Sequence, residues 1–233
     1  MRKIQERGPI DAQSRLSTDF LVLEGIKTLR SNLMFSGVDK RILGITSCNA
    51  GEGKSTISFQ LAASFAQLNK RVLLLDVDLR KSAAAKRYGF RKSEMGVSHY
   101  LSGMASLEEV CYETNIPGLF MAYAGKLVPN ALELLASQRF KDLLPILRQR
   151  FDYVIVDTPP LGQVIDCAVI AADLDGVVML IDATRNSCKA EKRIRDQIEQ
   201  AGGKVLGVVL NRVDFTDKFG YYGKKRYGAY AYE

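Results

Sequence analysis

The chain has 233 residues, 47% of them hydrophobic and 25% charged, a length that suits one globular domain with a sizeable core. Lys and Arg number 33 against 26 Asp and Glu, giving a formal charge of +7, and no apolar run approaches the roughly 18 to 20 residues that span a bilayer. Four widely spaced cysteines, never as C-x-x-C, and a single histidine argue against a disulfide framework, a structural zinc or an iron–sulfur site.

The polar start Met1-Arg2-Lys3-Ile4-Gln5-Glu6 lacks the apolar stretch of a signal peptide, so a stand-alone cytoplasmic protein is expected, with residues 1–17 as an N-terminal extension. Residues 18–35 read as a helix: Leu23, Ile26, Leu29 and Leu33 form an apolar stripe, and Glu24, Lys27 and Arg30 recur at every third position. That charged row is either solvated surface or a contact face for another subunit. Five near-continuous Val/Ile/Leu runs follow, Ile42 to Ser47, Val72 to Asp78, Tyr153 to Thr158, Gly176 to Asp182 and Lys204 to Asn211, each expected as a strand buried on both faces. A weaker strand is expected at Gly118 to Ala124. Helices are expected at Gly53 to Leu68, Ala131 to Gln149, Val164 to Ala172 and Ser187 to Ala201. The alternation predicts an α/β fold, a mostly parallel sheet flanked by helices in three layers, within one domain at 18–216.

Between Arg80 and Lys92 six basic residues occur with no acid. Nucleic acid is the first partner to consider for such a patch, but no aromatic RNA-binding signature and no helix-turn-helix accompanies it, so sequence-specific nucleic-acid binding is not expected. Residues 217–233 are rich in glycine and hold Tyr221, Tyr222, Tyr227, Tyr230 and Tyr232, half of the ten tyrosines in the chain. No periodicity there builds an element, and a flexible tail is expected.

Directly after the first strand comes Cys48-Asn49-Ala50-Gly51-Glu52-Gly53-Lys54-Ser55-Thr56, a Walker A loop whose first glycine is replaced by Cys48. Small residues let backbone N–H groups curl around phosphate oxygens, Lys54 reaches the outer phosphates, and Ser55 offers a hydroxyl to Mg²⁺. Binding of ATP or GTP with Mg²⁺ follows, on a P-loop NTPase-like fold. Two other strands end in acids: Leu75-Asp76-Val77-Asp78 places two aspartates on one face of a strand end, and Val156-Asp157-Thr158-Pro159-Pro160 has the form of a Walker B strand. In a parallel sheet such ends gather beside the phosphate loop.

Together these motifs resemble the bacterial protein-tyrosine kinases that regulate capsule and exopolysaccharide synthesis. The resemblance runs from about Phe20 to the C-terminus and rests on Glu24…Leu29-Arg30-Ser31-Asn32-Leu33, the Ala50 to Thr56 loop, Asp76-Val77-Asp78-Leu79-Arg80-Lys81, Asp157-Thr158-Pro159-Pro160, Asn211-Arg212-Val213-Asp214 and the tyrosine tail. It implies an ATP-dependent kinase that phosphorylates its own tail tyrosines in trans. Lys54 then stabilises the transferred phosphoryl, Ser55, Asp78 and Asp157 hold Mg²⁺, Asp76 orients or deprotonates the attacking hydroxyl, Asn211 lies near the base, and Arg80 lies near the phosphates or the substrate tail. It also implies a ring-like homo-oligomer, an octamer, in contact through Glu24, Lys27 and Arg30. A transmembrane activator of the polysaccharide co-polymerase type that recruits the kinase to the inner face of the membrane, a cognate phosphatase and other protein substrates complete the implied partners.

The sequence departs from that pattern at Asn49-Ala50 and at Ser82, where prolines are usual, and at Lys27, where arginine is frequent. The rival on the same fold is a chromosome-partitioning or division-site-positioning ATPase without kinase activity. Those carry an extra lysine near the start of the loop, where this chain has Asn49.

Overall fold

The computed structural model describes residues 9–82, 84–90, 94–185 and 188–213. The five tail tyrosines lie outside the described residues.

After a single turn of 3₁₀ helix at Gln13–Arg15 the elements are α1 Phe20–Phe35, β1 Ile42–Ser47, α2 Lys54–Ala66, β2 Val72–Asp76, α3 Ala84–Tyr88, α4 Val97–Leu101, α5 Leu107–Val110 and β3 Tyr112–Glu113. Then follow β4 Leu119–Ala122, α6 Ala131–Leu135, α7 Gln138–Arg150, β5 Tyr153–Asp157, α8 Asp166–Ala171, β6 Gly176–Asp182, α9 Cys188–Gln200 and β7 Val205–Asn211. The strands form one seven-stranded sheet in the order β3-β4-β2-β5-β1-β6-β7, parallel except for the β3–β4 pair at one edge.

Strand alternation divides the core into two layers. Leu43, Ile45, Leu74 and Ile155 point to the face covered by α1 and α2, where Phe59, Leu61 and Phe65 are buried. Ile42, Leu73, Leu75, Val154 and Val156 point to the opposite face, under Phe140, Leu143 and Leu147 of α7 and Ile194 and Ile198 of α9. The expected three-layer α/β architecture is present.

Several boundaries differ from expectation for local reasons. The helix expected over Ala131 to Gln149 is two helices, because Ser137 adopts extended geometry and its hydroxyl accepts the Phe140 N–H as the N-cap of α7. The second strand stops at Asp76 rather than Asp78, since the Asp78 N–H turns back onto Asp76 Oδ1 at 3.0 Å and the Leu79 N–H onto the Val77 carbonyl at 2.8 Å. Strand β7, expected to be buried on both faces, is an edge strand with Val208 and Leu210 exposed. An apolar run alone does not distinguish a central strand from an edge. The short helices α3 to α5 and the antiparallel β3 had no periodic signal to announce them.

Candidate active site

The phosphate loop joins β1 to α2. Gly51 and Gly53 both take positive φ, 79° and 103°, and a Cβ on Gly53 would stand 2.4 Å from Asn211 Nδ2, so only glycine fits there. Cys48, in the place of the first Walker A glycine, has no positive φ and is buried, which is why a side chain is tolerated. The Glu52 carboxylate, itself buried, folds back over the loop and accepts from Asn49 N at 3.0 Å and Asn49 Nδ2 at 3.1 Å. From the far side of the sheet Asn211 Nδ2 donates to the Glu52 carbonyl at 2.8 Å. Arg212 donates to the Gly51 carbonyl at 2.8 Å and to Asp182 Oδ2 at 2.6 Å. The loop is thus braced from β7 as well as from its own strand.

Lys54 begins α2, and its ammonium donates to Ser47 Oγ at 3.1 Å. Burial pushes its pKa down, opposed by the carboxylates of Asp157, Asp78 and Glu52. Residues 49–51 and Thr56 are open to solvent, so the loop surrounding that ammonium is accessible to a phosphate chain.

Asp76 and Asp157 are the last residues of β2 and β5 and face each other in register across the central strand pair. Both are buried, and burial pushes both pKa values up. The nearby Asp157 charge raises Asp76 further, while hydrogen bonds from Ser55 and Ser58 and the Lys54 charge act on Asp157 in the opposite direction. Asp76 also accepts from Ser82 Oγ. Asp78 sits half-buried just past the strand and accepts from Lys81 N at 2.9 Å.

Arg80 is held in a two-pronged pair with Asp166, Nε to Oδ2 at 2.8 Å and Nη2 to Oδ1 at 3.1 Å, and that hydrogen bond raises its already high pKa. The Asp166 side chain is 0% exposed whereas that of Arg80 is 34% exposed, so a buried carboxylate fixes the position of a guanidinium that still reaches solvent. Asp166, Ser47 and Asp182 had no sequence motif to mark them, and Arg212 and Ser82, though adjacent to motif residues, were assigned no role; these contacts depend on which loops the sheet brings together.

The donor set of Ser55, Asp78 and Asp157 is oxygen only, and no group of three or more acidic, His or Cys side chains is close enough to cage a cation among the described residues. That set suits Mg²⁺, which is held by one or two carboxylates or a hydroxyl together with substrate phosphates rather than by an all-protein cage. When bound it neutralises charge on the phosphate oxygens.

Of the three charged residues on α1, Lys27 pairs with Glu24 at 2.7 Å on the surface. Arg30 instead turns inward to donate to the Ser64 carbonyl at 2.7 Å and Ser64 Oγ at 2.9 Å on α2.

Residues 40–205 match the family described as AAA domain. The tyrosine-protein kinase CpsD of Streptococcus agalactiae is 39% identical over 206 residues, covering 87% of this chain and 90% of its own length. The kinase domain of the Escherichia coli tyrosine kinase ETK superposes with a TM-score of 0.80 at 29% identity, covering 92% of this chain and 86% of that one. The septum site-determining protein MinD of Pyrococcus horikoshii, solved with Mg-ADP, superposes with a TM-score of 0.64 at 21% identity over 76% of this chain and 72% of its own, a likeness that shows the shared fold alone. With a braced Walker A loop facing paired strand-end acids, and with CpsD matched over nearly its full length, this chain belongs to the bacterial tyrosine-protein kinases.

Proposed function

We propose that the chain transfers the γ-phosphoryl of ATP to tyrosines of its own C-terminal tail, in trans between subunits, and so regulates capsule or exopolysaccharide synthesis. The observation that carries this reading is the pair Asp76 and Asp157, buried in register at the strand ends beside Lys54 and Ser55. Lys54 neutralises the outer phosphates, and Ser55, Asp78 and Asp157 would hold Mg²⁺. Asp76, a carboxylate whose proton affinity burial has raised, takes the phenolic proton. Arg80, fixed by Asp166, supplies a further positive charge at the edge of the site. Asn211, which braces the loop through the Glu52 carbonyl, flanks the nucleotide, and Asn49 to Thr56 wrap its phosphates.

Substrate is the reading we prefer for Tyr221, Tyr222, Tyr227, Tyr230 and Tyr232. Each phosphate adds roughly −1.5 to −2 charges, so five of them would offset the formal +7 of the whole chain. Such a swing, confined to the tail, would repel neighbouring tails and loosen a ring-like oligomer that uses Glu24, Lys27 and Arg30. A transmembrane activator would bring the kinase to the inner face of the membrane, and a phosphatase would reset it. Incubation of the purified protein with Mg-ATP, followed by mapping of phosphotyrosine by mass spectrometry, tests the reading. Labelling of the tail by wild type and its loss in Lys54→Met are expected; an unlabelled wild type, or equal labelling of the variant, overturns it.

A further inference from the structure

Strand β7 forms one edge of the sheet, and among the described residues only β6 pairs with it. The Ala183 N–H donates to the Asn211 carbonyl at 2.9 Å, which fixes the direction of the β7 backbone. Asn211 turns its polar groups toward β6, and by the two-residue alternation of a strand so do Val209 and Gly207. Val208 and Leu210 therefore turn their N–H and C=O groups to the open side, and their side chains are 52% and 60% exposed. Natural sheets usually guard such an edge with a lysine, a proline or a covering element. Residues 207–211, Gly-Val-Val-Leu-Asn, carry neither charge nor proline. A Cβ on Gly207 would meet nothing within 4 Å, so there is room for a side chain there as well. Directly past the strand Arg212 takes a positive φ of 58°, a left-handed conformation of the kind that turns a chain out of a strand.

We propose that the chain's own tail covers this edge: residues 217–222 return antiparallel to β7 as an added strand, and Tyr221 and Tyr222 are thereby withheld from transfer. The occupant follows from where the chain goes. Residues 214–233, outside the described residues, continue from the Arg212 end of β7, so a strand formed from them is tethered beside the open edge. A short tether holds its partner at roughly millimolar effective concentration, well above that of a second copy in micromolar protein. One register fills every open position. With the loop at 213–216, Phe219 stands opposite Leu210, Tyr221 opposite Val208 and Tyr222 opposite Gly207. Aromatic against aliphatic residues make favourable cross-strand pairs, and a ring laid over a strand glycine covers the backbone that glycine leaves bare. Val208 and Leu210 then exchange backbone hydrogen bonds with Tyr221 and Phe219. Tyr227, Tyr230 and Tyr232 lie beyond the paired stretch and stay available to a neighbouring subunit. The withholding rests on the kinase reading above; the contact does not.

The test compares two chains without nucleotide: the full Lys54→Met chain, in which no transfer complicates the comparison, and the same chain ended at residue 216, which retains every described residue. Amide hydrogen exchange at Val208 and Leu210 is expected to be at least tenfold slower in the full chain, at every protein concentration in the low micromolar range. Rates within twofold of each other overturn the contact. Protection that survives in the shortened chain, or that grows with protein concentration, assigns the edge to a second copy and overturns it too. A time course of phosphotyrosine mapping on wild type with Mg-ATP reads the withholding. Tyr227, Tyr230 and Tyr232 are expected to be labelled at least fivefold faster than Tyr221 and Tyr222. Val208→Lys, a charge on a side chain that is already exposed, is expected to fold as wild type does, to lose the protection at Leu210 and to bring the five rates within twofold of one another. Equal rates at all five tyrosines in wild type overturn the withholding alone. Absence of any transfer by wild type overturns it together with the kinase reading, while the exchange rates decide the contact by themselves.

Discussion

The Ser82 hydroxyl donates a hydrogen bond to Asp76 Oδ2 and, with the same oxygen, accepts from the Ala84 N–H at 3.1 Å as α3 begins. Proline, the residue that the family resemblance leads one to expect at this position, offers neither bond. The donor favours the ionised carboxylate and works against the burial that pushes Asp76 up. Ser82→Ala is therefore expected to raise the Asp76 pKa and to move the acid limb of the pH profile of phosphotransfer to higher pH by about half a unit to one unit. Loss of the bond at the start of α3 adds a stability cost of about 1 kcal/mol. Steady-state transfer measured from pH 5.5 to 9 decides it; an acid limb that stays in place or moves down removes Ser82 as a partner that tunes Asp76.

How much of this site the sequence reveals follows from the range of the interactions. The Walker A loop and the carboxylates at 76 and 157 are readable because each follows an apolar strand within a few residues, and a parallel sheet brings such ends together. Asp166 is not readable: it stands 86 residues from Arg80 and nothing around it marks a partner. Arg212 reaches Gly51 across 161 residues and likewise depends on β7 lying at the sheet edge. The same edge position explains why Val208 and Leu210, apolar like the central strands, are exposed. Boundaries failed where a side chain competed with the backbone for a hydrogen bond, at Asp76 and at Ser137.

The pair Arg80 and Asp166 is unequally buried, and the two partners should respond unequally to removal. Arg80→Ala strands a carboxylate that is 0% exposed, whereas Asp166→Asn leaves a guanidinium that is 34% exposed and keeps contact with water. Arg80→Ala is expected to cost about 2–3 kcal/mol, short of the usual range for a pair buried on both sides, and Asp166→Asn about 1 kcal/mol. If Asp166 acts by holding Arg80 in place, Asp166→Asn also lowers kcat with little change in KM for ATP. Equal destabilisation by the two variants in urea titrations would contradict the asymmetry.

Burial makes Asp76 and Asp157 hold their protons more tightly in the folded protein than in the unfolded chain, where a carboxyl titrates near 3.8. From about pH 4 up through neutrality the folded state therefore binds more protons than the unfolded state, and the stability of the nucleotide-free protein contributed by these groups falls as pH rises. Asp76→Asn removes one of the two charges and keeps an amide oxygen to accept the Asp78 N–H. Without nucleotide it is expected to melt with wild type at pH 5 and about 2–6 °C above it at pH 8. Binding of Mg-ATP favours the ionised acids, so it should release protons, and its affinity should rise with pH. Calorimetry in two buffers of different ionisation heat measures that release directly. Proton uptake, or a variant no more stable than wild type at pH 8, would show that burial does not raise the proton affinity of these acids.

On α1 the three charged residues separate into two kinds. Glu24 and Lys27 form a surface pair whose worth to the folded subunit is at most a few tenths of a kcal/mol, as for other pairs one turn apart on a helix. Arg30 instead ties α1 to α2 through the Ser64 carbonyl and hydroxyl, so alanine there loses two hydrogen bonds from a cation, on the order of 1–3 kcal/mol. The double variant Glu24→Ala/Lys27→Ala is therefore expected to melt within about 1 °C of wild type, and Arg30→Ala several degrees lower. A ring assembled through this face should fall apart in the double variant at a concentration where wild type stays assembled, as read by light scattering behind size exclusion. A double variant that elutes as wild type does would move the oligomer contact elsewhere. An Arg30→Ala protein as stable as wild type would show that the α1–α2 tie contributes nothing to the subunit and free that guanidinium for a neighbour.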